Sequence, residues 1–129
     1  FWRLLGASIV MLAFGFFGES GAMDAWIAWA IGMAAWIYII YEIWFGDAKK
    51  AAGEATEGVQ FAFTWMTYIL TFGWAIYPAG YILGIDASPD NQDMLNIVYN
   101  IADVVNKTAF GLMVWYAATI DTAAAESKE

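Results

Sequence analysis

The sequence predicts an all-α protein, a polytopic membrane helix bundle with four helices in this chain. Three observations carry that class. Of the 129 residues, 62% are hydrophobic and only 14% charged, where a soluble domain has about a quarter charged. The apolar residues gather into four long runs, separated by short stretches rich in Gly, Asp, Glu, Ser and Pro, as turns are. No run alternates with the period of two of a barrel strand, and a bilayer otherwise admits only helices.

The first run is Leu4–Gly18. It is short for a span, which needs ~20 apolar residues, but it extends through Phe1 and Trp2. Arg3, the apolar stretch to Phe17 and the small residues around Gly18–Ala22 also fit a signal peptide; the three spans that follow favour a transmembrane helix. Because the chain opens on Phe1 and enters an apolar run at once, it is expected to be the later part of a longer protein. The second run is Ala25–Phe45, the third Val59–Gly84 and the fourth Met94–Thr119. Pro78 removes a backbone donor and is expected to kink the third. The tail from Ala123 is polar and expected to fray. The whole of 1–129 reads as a single membrane domain.

Composition excludes several functions. There is no cysteine, so disulfides and thiolate metal sites are absent, and no histidine, the usual proton shuttle. Five basic residues leave no nucleic-acid footprint. Four of the five, Arg3, Lys49, Lys50 and Lys128, fall on one side if the spans alternate. The opposite loops hold Glu19, Asp24, Asp86, Asp90 and Asp93. The positive-inside rule then places Phe1, the loop 46–58 and the C-terminus in the cytoplasm.

The fifth basic residue, Lys107, lies near the middle of the fourth span. An ammonium at that depth costs roughly 3 kcal/mol on insertion scales, so intramembrane charge marks function by default. Asn96, Asn100, Asp103 and Lys107 are spaced 4, 3 and 4 and share one helix face, flanked by Tyr99 and Asn106. A purely structural ion pair with helix-joining amides is the plainer reading. A lone amine beside a carboxylate is also what a lysine forming an imine requires. In the third span Trp74, Tyr77 and Tyr81 are spaced to share a face beside Pro78. The second span offers Trp29, Gly32, Met33 and Trp36, with Gly32 leaving a slot, and the first offers Met11 and Gly15. Each patch alone reads as packing more readily than as a ligand box; their convergence on one buried lysine is less ordinary. Glu42 reads as a snorkelling acid, Trp44 as an aromatic-belt residue, and Gly80–Gly84 as a common small-residue pair of little weight.

The stretch Gly73-Trp74-Ala75-Ile76-Tyr77-Pro78, followed by Asn100-Ile-Ala-Asp103-Val-Val-Asn106-Lys107 and Phe110-Gly111, resembles the last two helices of a microbial rhodopsin of the proteorhodopsin branch. Gly15-Phe-Phe-Gly18-Glu19 and Tyr38-Ile-Ile-Tyr41-Glu42 resemble the same branch. The resemblance implies a seven-helix fold, of which this chain holds the fourth to seventh helices. It implies retinal on Lys107 as a protonated Schiff base, Asp103 as its counterion, and Tyr77 bonded to Asp103. Trp74, Tyr77, Pro78 and Tyr81 would line the chromophore, with Met11, Gly15, Trp29, Gly32, Met33 and Trp36 toward the ring and Asn106 just before the lysine. The implied activity is light-driven outward proton transport across a prokaryotic inner membrane, not enzymatic turnover. The implied partners are the bilayer, protons and the protein's own upstream helices, and self-association stays open. A sensory photoreceptor, a pump for another ion and a non-photoactive bundle remain alternatives, since the acceptor and donor carboxylates of this family lie upstream of Phe1.

Overall fold

Helix α1 (Trp2–Glu19) and helix α2 (Ala25–Trp44) lie side by side in a computed structural model that describes residues 1–85 and 88–127. The turn between them places Gly21 at φ +72°, a left-handed conformation that glycine adopts without a Cβ penalty. Asp24 then caps α2, its carboxylate accepting from the N–H groups of Trp26 at 3.0 Å and Ile27 at 3.1 Å. Such a cap contributes about 1 kcal/mol.

The expected loop after α2 contains a short helix, α3 (Asp47–Gly53). The third apolar run is not one kinked helix but three pieces: α4 (Glu57–Tyr68), a π-helical turn (Ile69–Gly73) and α5 (Ile76–Gly84). The break precedes Pro78 because a proline acts on the turn before it. Its missing N–H deprives the carbonyl of Trp74, and that carbonyl accepts instead from the N–H of Tyr77 at 3.2 Å. Helix α6 (Pro89–Glu126) has 38 residues, a length of about 57 Å. It begins before the expected Met94, with Pro89 in the first turn where a missing N–H does no harm. It continues past Thr119 through the alanines expected to fray, up to Glu126. Asp86 and Lys128, which entered the charge argument, lie outside the described residues.

Among the described residues three helical stretches are long and apolar enough to cross a membrane: Trp2–Glu19, Ala25–Gly53 and Glu57–Gly84. Helix α6 is longer than any of them, but its polar stripe dilutes its apolarity.

α1 packs along α2, and α4 and α5 pack along α6. The two pairs are joined largely by indoles of α2. Trp29 donates Nε1–H to the carbonyl of Pro78 at 3.1 Å, Trp36 to that of Leu70 at 3.3 Å, and Trp44 to Oγ1 of Thr71 at 2.9 Å. Spacings of seven and eight put all three on one face of α2. Trp44, expected in an aromatic belt, also meets Tyr68 edge-on with ring centroids 5.4 Å apart. At the end shared by Arg3 and α3, Glu42 is buried rather than snorkelling. It accepts from the Tyr38 hydroxyl at 2.9 Å and pairs with Arg3 at 3.5 Å. At the same end Asp121 of α6 holds the start of α4, accepting from the Thr56 hydroxyl at 2.6 Å and the Gly58 N–H at 3.0 Å.

Candidate functional site

Helix α6 meets its neighbours along Leu95, Tyr99, Ala102, Asn106, Met113 and Ala117, a helical repeat of partly or fully buried positions. The opposite side, through Ile97, Ile101, Val104, Leu112 and Trp115, is exposed and mostly apolar, with Thr108 on the same face. Between the two runs the polar stripe Asn96, Asn100, Asp103 and Lys107. Sequence spacing therefore placed these four together, and the helix keeps them so.

Lys107 Nζ forms an ion pair and hydrogen bond with Oδ2 of Asp103. Oδ1 of the same carboxylate accepts from the Tyr77 hydroxyl at 2.5 Å. Tyr77 thus reaches from α5 to α6. Its ring lies 5.7 Å from that of Tyr99 at a 31° tilt, and the Tyr99 hydroxyl donates to the Tyr77 carbonyl at 3.3 Å. One turn further, Asn106 donates Nδ2–H to the carbonyl of Gly73 at 3.0 Å. Lys107, Asp103, Tyr77, Tyr99, Asn106 and Gly73 form one connected cluster across the irregular stretch of the third span.

The amine is not enclosed. The Lys107 side chain is 75% exposed and that of Asp103 is 40% exposed. The expectation of a buried pair does not hold for this chain by itself, because no described element covers the sector on which the stripe lies.

The aromatic patches divide. Trp74 is half-buried in the turn between the π-helical segment and α5, so it does not belong to one continuous helix with Tyr77 and Tyr81. Tyr77 turns to α6, while Tyr81 turns to α1 and α2. The Tyr81 hydroxyl is buried without a partner among the described residues, packed where a Cβ on Gly18 would stand. Pro78 joins the cluster's surroundings through its carbonyl, held by Trp29. Trp36 is spent on the Leu70 carbonyl. Gly32 does not open a slot: it faces α1, with the Met11 carbonyl oxygen 3.6 Å from where a Cβ would be. Gly15 faces open space. Met11 and Met33 are half-buried, and neither has a hydrogen-bond link to the lysine cluster.

Sequence reasoning passed over two contacts. Gly80 and Gly84, given little weight, are where α5 meets α6: a Cβ on Gly80 would stand 2.7 Å from Cε1 of Tyr99, and one on Gly84 3.3 Å from Cδ1 of Leu95. Asp121, which the sequence reading did not single out, holds the start of α4. The four-residue glycine spacing was a usable signal; nothing local in the sequence marked Asp121.

Helix α6 thus bears a lysine–carboxylate pair, braced by a tyrosine from a proline-broken neighbour. Residues 1–120 match the family model for bacteriorhodopsin-like proteins, and the chain belongs to that family. It is 50% identical over 119 residues to the green-light absorbing proteorhodopsin of gamma-proteobacterium EBAC31A08, an alignment covering 92% of this chain and 48% of that protein. It superposes on the crystal structure of blue light-absorbing proteorhodopsin from Med12 with a TM-score of 0.76 at 50% identity, covering 93% of this chain and 54% of that one. Against Exiguobacterium sibiricum rhodopsin the TM-score is 0.84 at 33% identity, covering 94% and 57%. The chain thus spans about half the length of the relatives it matches, and its four principal helices are part of the seven-helix rhodopsin fold.

Proposed function

We propose that this chain is the retinal-bearing part of a light-driven outward proton pump, a transporter rather than an enzyme, in a prokaryotic inner membrane. The observation that carries the reading is the chain of contacts Lys107–Asp103–Tyr77 at mid-length of α6. The residues fit the group. Lys107 is a primary amine, the group that condenses with an aldehyde, and Asp103 supplies the opposite charge at contact distance. Lys49 and Lys50 lie in the short helix α3, at the end of the bundle. Retinal, when bound at Lys107, supplies light absorption and a light-driven change of shape beside the lysine nitrogen.

The chain's own residues do the rest. Asp103 favours a positive charge on the Lys107 nitrogen by proximity. Tyr77 fixes the carboxylate's orientation, and Tyr99 fixes Tyr77 through its carbonyl and ring. Trp74 and Pro78 would line the chromophore from the third span beside Tyr77, while Tyr81 turns to α1 and α2. Met11, Gly15, Trp29, Gly32, Met33 and Trp36 are proposed for the ring on the family resemblance alone. The stripe of Asn96, Asn100, Asp103 and Lys107 faces further helices of the same protein, because polar groups left unpaired in hydrocarbon cost several kcal/mol each. Those helices also supply the carboxylates that accept and return the proton. The end bearing Arg3, Lys49 and Lys50 is cytoplasmic, which puts the C-terminal end of α6 there too.

The test is Lys107→Ala in the intact protein. Covalent retinal binding and visible absorbance should be lost while membrane insertion persists. Normal colour that survives borohydride reduction and denaturation would overturn the assignment. Light-induced acidification outside spheroplasts that express the unaltered protein tests the pump itself.

A further inference from the structure

We propose that Asn106 is a positioning residue that sets the rotation of α6, and so the direction of Lys107, by gripping a backbone carbonyl that Pro78 has orphaned. In a regular helix the Gly73 carbonyl would accept from the N–H of Tyr77, four residues on. Pro78 has no N–H for the Trp74 carbonyl. The Tyr77 N–H turns to that carbonyl at 3.2 Å, and the Trp74 N–H reaches back five residues to Ile69, also at 3.2 Å. The Gly73 carbonyl is thereby left without its intrahelical donor. Asn106 supplies one from another helix at 3.0 Å.

Gly73 must be glycine for this. A Cβ there would overlap Oδ1 of Asn106 and stand 3.1 Å from its Cγ. Gly73, Pro78 and Asn106 are thus one device in three places along the chain. Its consequence is directional. Asn106 lies on the packed side of α6, and Lys107 follows about 100° further round, on the uncovered sector. Pinning Asn106 to the turn just before Trp74 fixes the amine relative to the aromatic wall of the third span. This deepens the retinal reading, on which its relevance to the chromophore rests; the grip itself is testable without retinal.

The experiment uses the intact protein in lipid, with and without retinal. Asn106→Asp keeps the shape but loses the donor, and Asn106→Leu keeps the bulk but loses all polarity. Each should raise amide hydrogen exchange across residues 73–79 by roughly three- to tenfold, the worth of one hydrogen bond. In retinal-loaded protein each should also shift the visible absorbance maximum. Gly73→Ala should sharply lower the yield of folded protein when Asn106 is present, and should add less than about a twofold further change in an Asn106→Ala background. If Gly73→Ala alone fails to fold, recovery in the double variant supports the contact, and failure of both overturns it. Exchange and absorbance unchanged in Asn106→Leu would reduce Asn106 to packing. Should the protein bind no retinal at all, the exchange and double-variant results still decide the grip, while the functional reading falls separately.

Discussion

Gly80→Ala should destabilise the bundle, and should become stabilising when Tyr99 is also shortened. Gly80 is buried between α5 and α6, and an added Cβ would stand 2.5 Å from the Tyr99 hydroxyl oxygen, 2.7 Å from Cε1 and 2.8 Å from Cζ. Ordinary contact begins at 3.4 Å, so the ring must retreat by about 0.9 Å or the helices must part. Overpacking of this kind costs about 1–3 kcal/mol. Against it stands the gain of replacing glycine within a helix, about 0.5–1 kcal/mol. The net expectation is a loss of about 1–2 kcal/mol with Tyr99 present. In a Tyr99→Ala background the obstacle is gone and only the helical gain remains, so the sign reverses. The ring cannot move alone, since its hydroxyl holds the Tyr77 carbonyl and Tyr77 holds Asp103. The single variant should therefore also disturb the visible spectrum of retinal-loaded protein. Unfolding of the four proteins in the cycle, measured in mixed micelles, gives the coupling directly. Equal effects of Gly80→Ala in both backgrounds would refute the packing argument.

Other expectations follow from the same contacts. Asp103→Asn removes the anion beside the Lys107 nitrogen and the acceptor of the Tyr77 hydroxyl, and should alter the visible spectrum and slow pumping in the retinal-loaded protein; an unchanged spectrum and unchanged pumping would count against the role. Asp121→Ala leaves the Gly58 N–H and the Thr56 hydroxyl without their acceptor and should cost about 1–2 kcal/mol, read as earlier thermal unfolding; no change would mean that water replaces the carboxylate. Trp36→Phe keeps the ring but loses the indole donor to the Leu70 carbonyl, and exchange should rise in the 70–75 turn while the α1–α2 pair is unaffected. Cysteines at Ala51 and Ser88 in this cysteine-free chain should be labelled by an impermeant thiol reagent from the outside of spheroplasts only at position 88; the reverse pattern would invert the orientation.

Much about this molecule could be read from the chain alone, because the bilayer leaves a sequence few options. Long apolar runs without period-two alternation must be helices, and a stripe spaced 4, 3 and 4 must share a face whatever surrounds it. Asn96, Asn100, Asp103 and Lys107 were legible together for that reason. The kink in the third span was legible in kind, since proline lacks a donor, but not in place. The π-helical turn at Ile69–Gly73 depends on which carbonyls find new partners, and those partners are Asn106 and Trp36 on other helices. Tertiary structure also decided where each aromatic residue faces. Trp29, Trp36 and Trp44 read as pocket and belt residues, yet their N–H groups go to the third span, because a buried indole donor needs an acceptor. Tyr77 and Tyr81, four apart, reach different helices. Glu42 is buried because Tyr38 and Arg3 are both there to meet it. Local spacing determines what one helix presents; only the packing of helix on helix decides which of those groups find partners, and unpaired polar groups choose among packings because they are expensive in hydrocarbon.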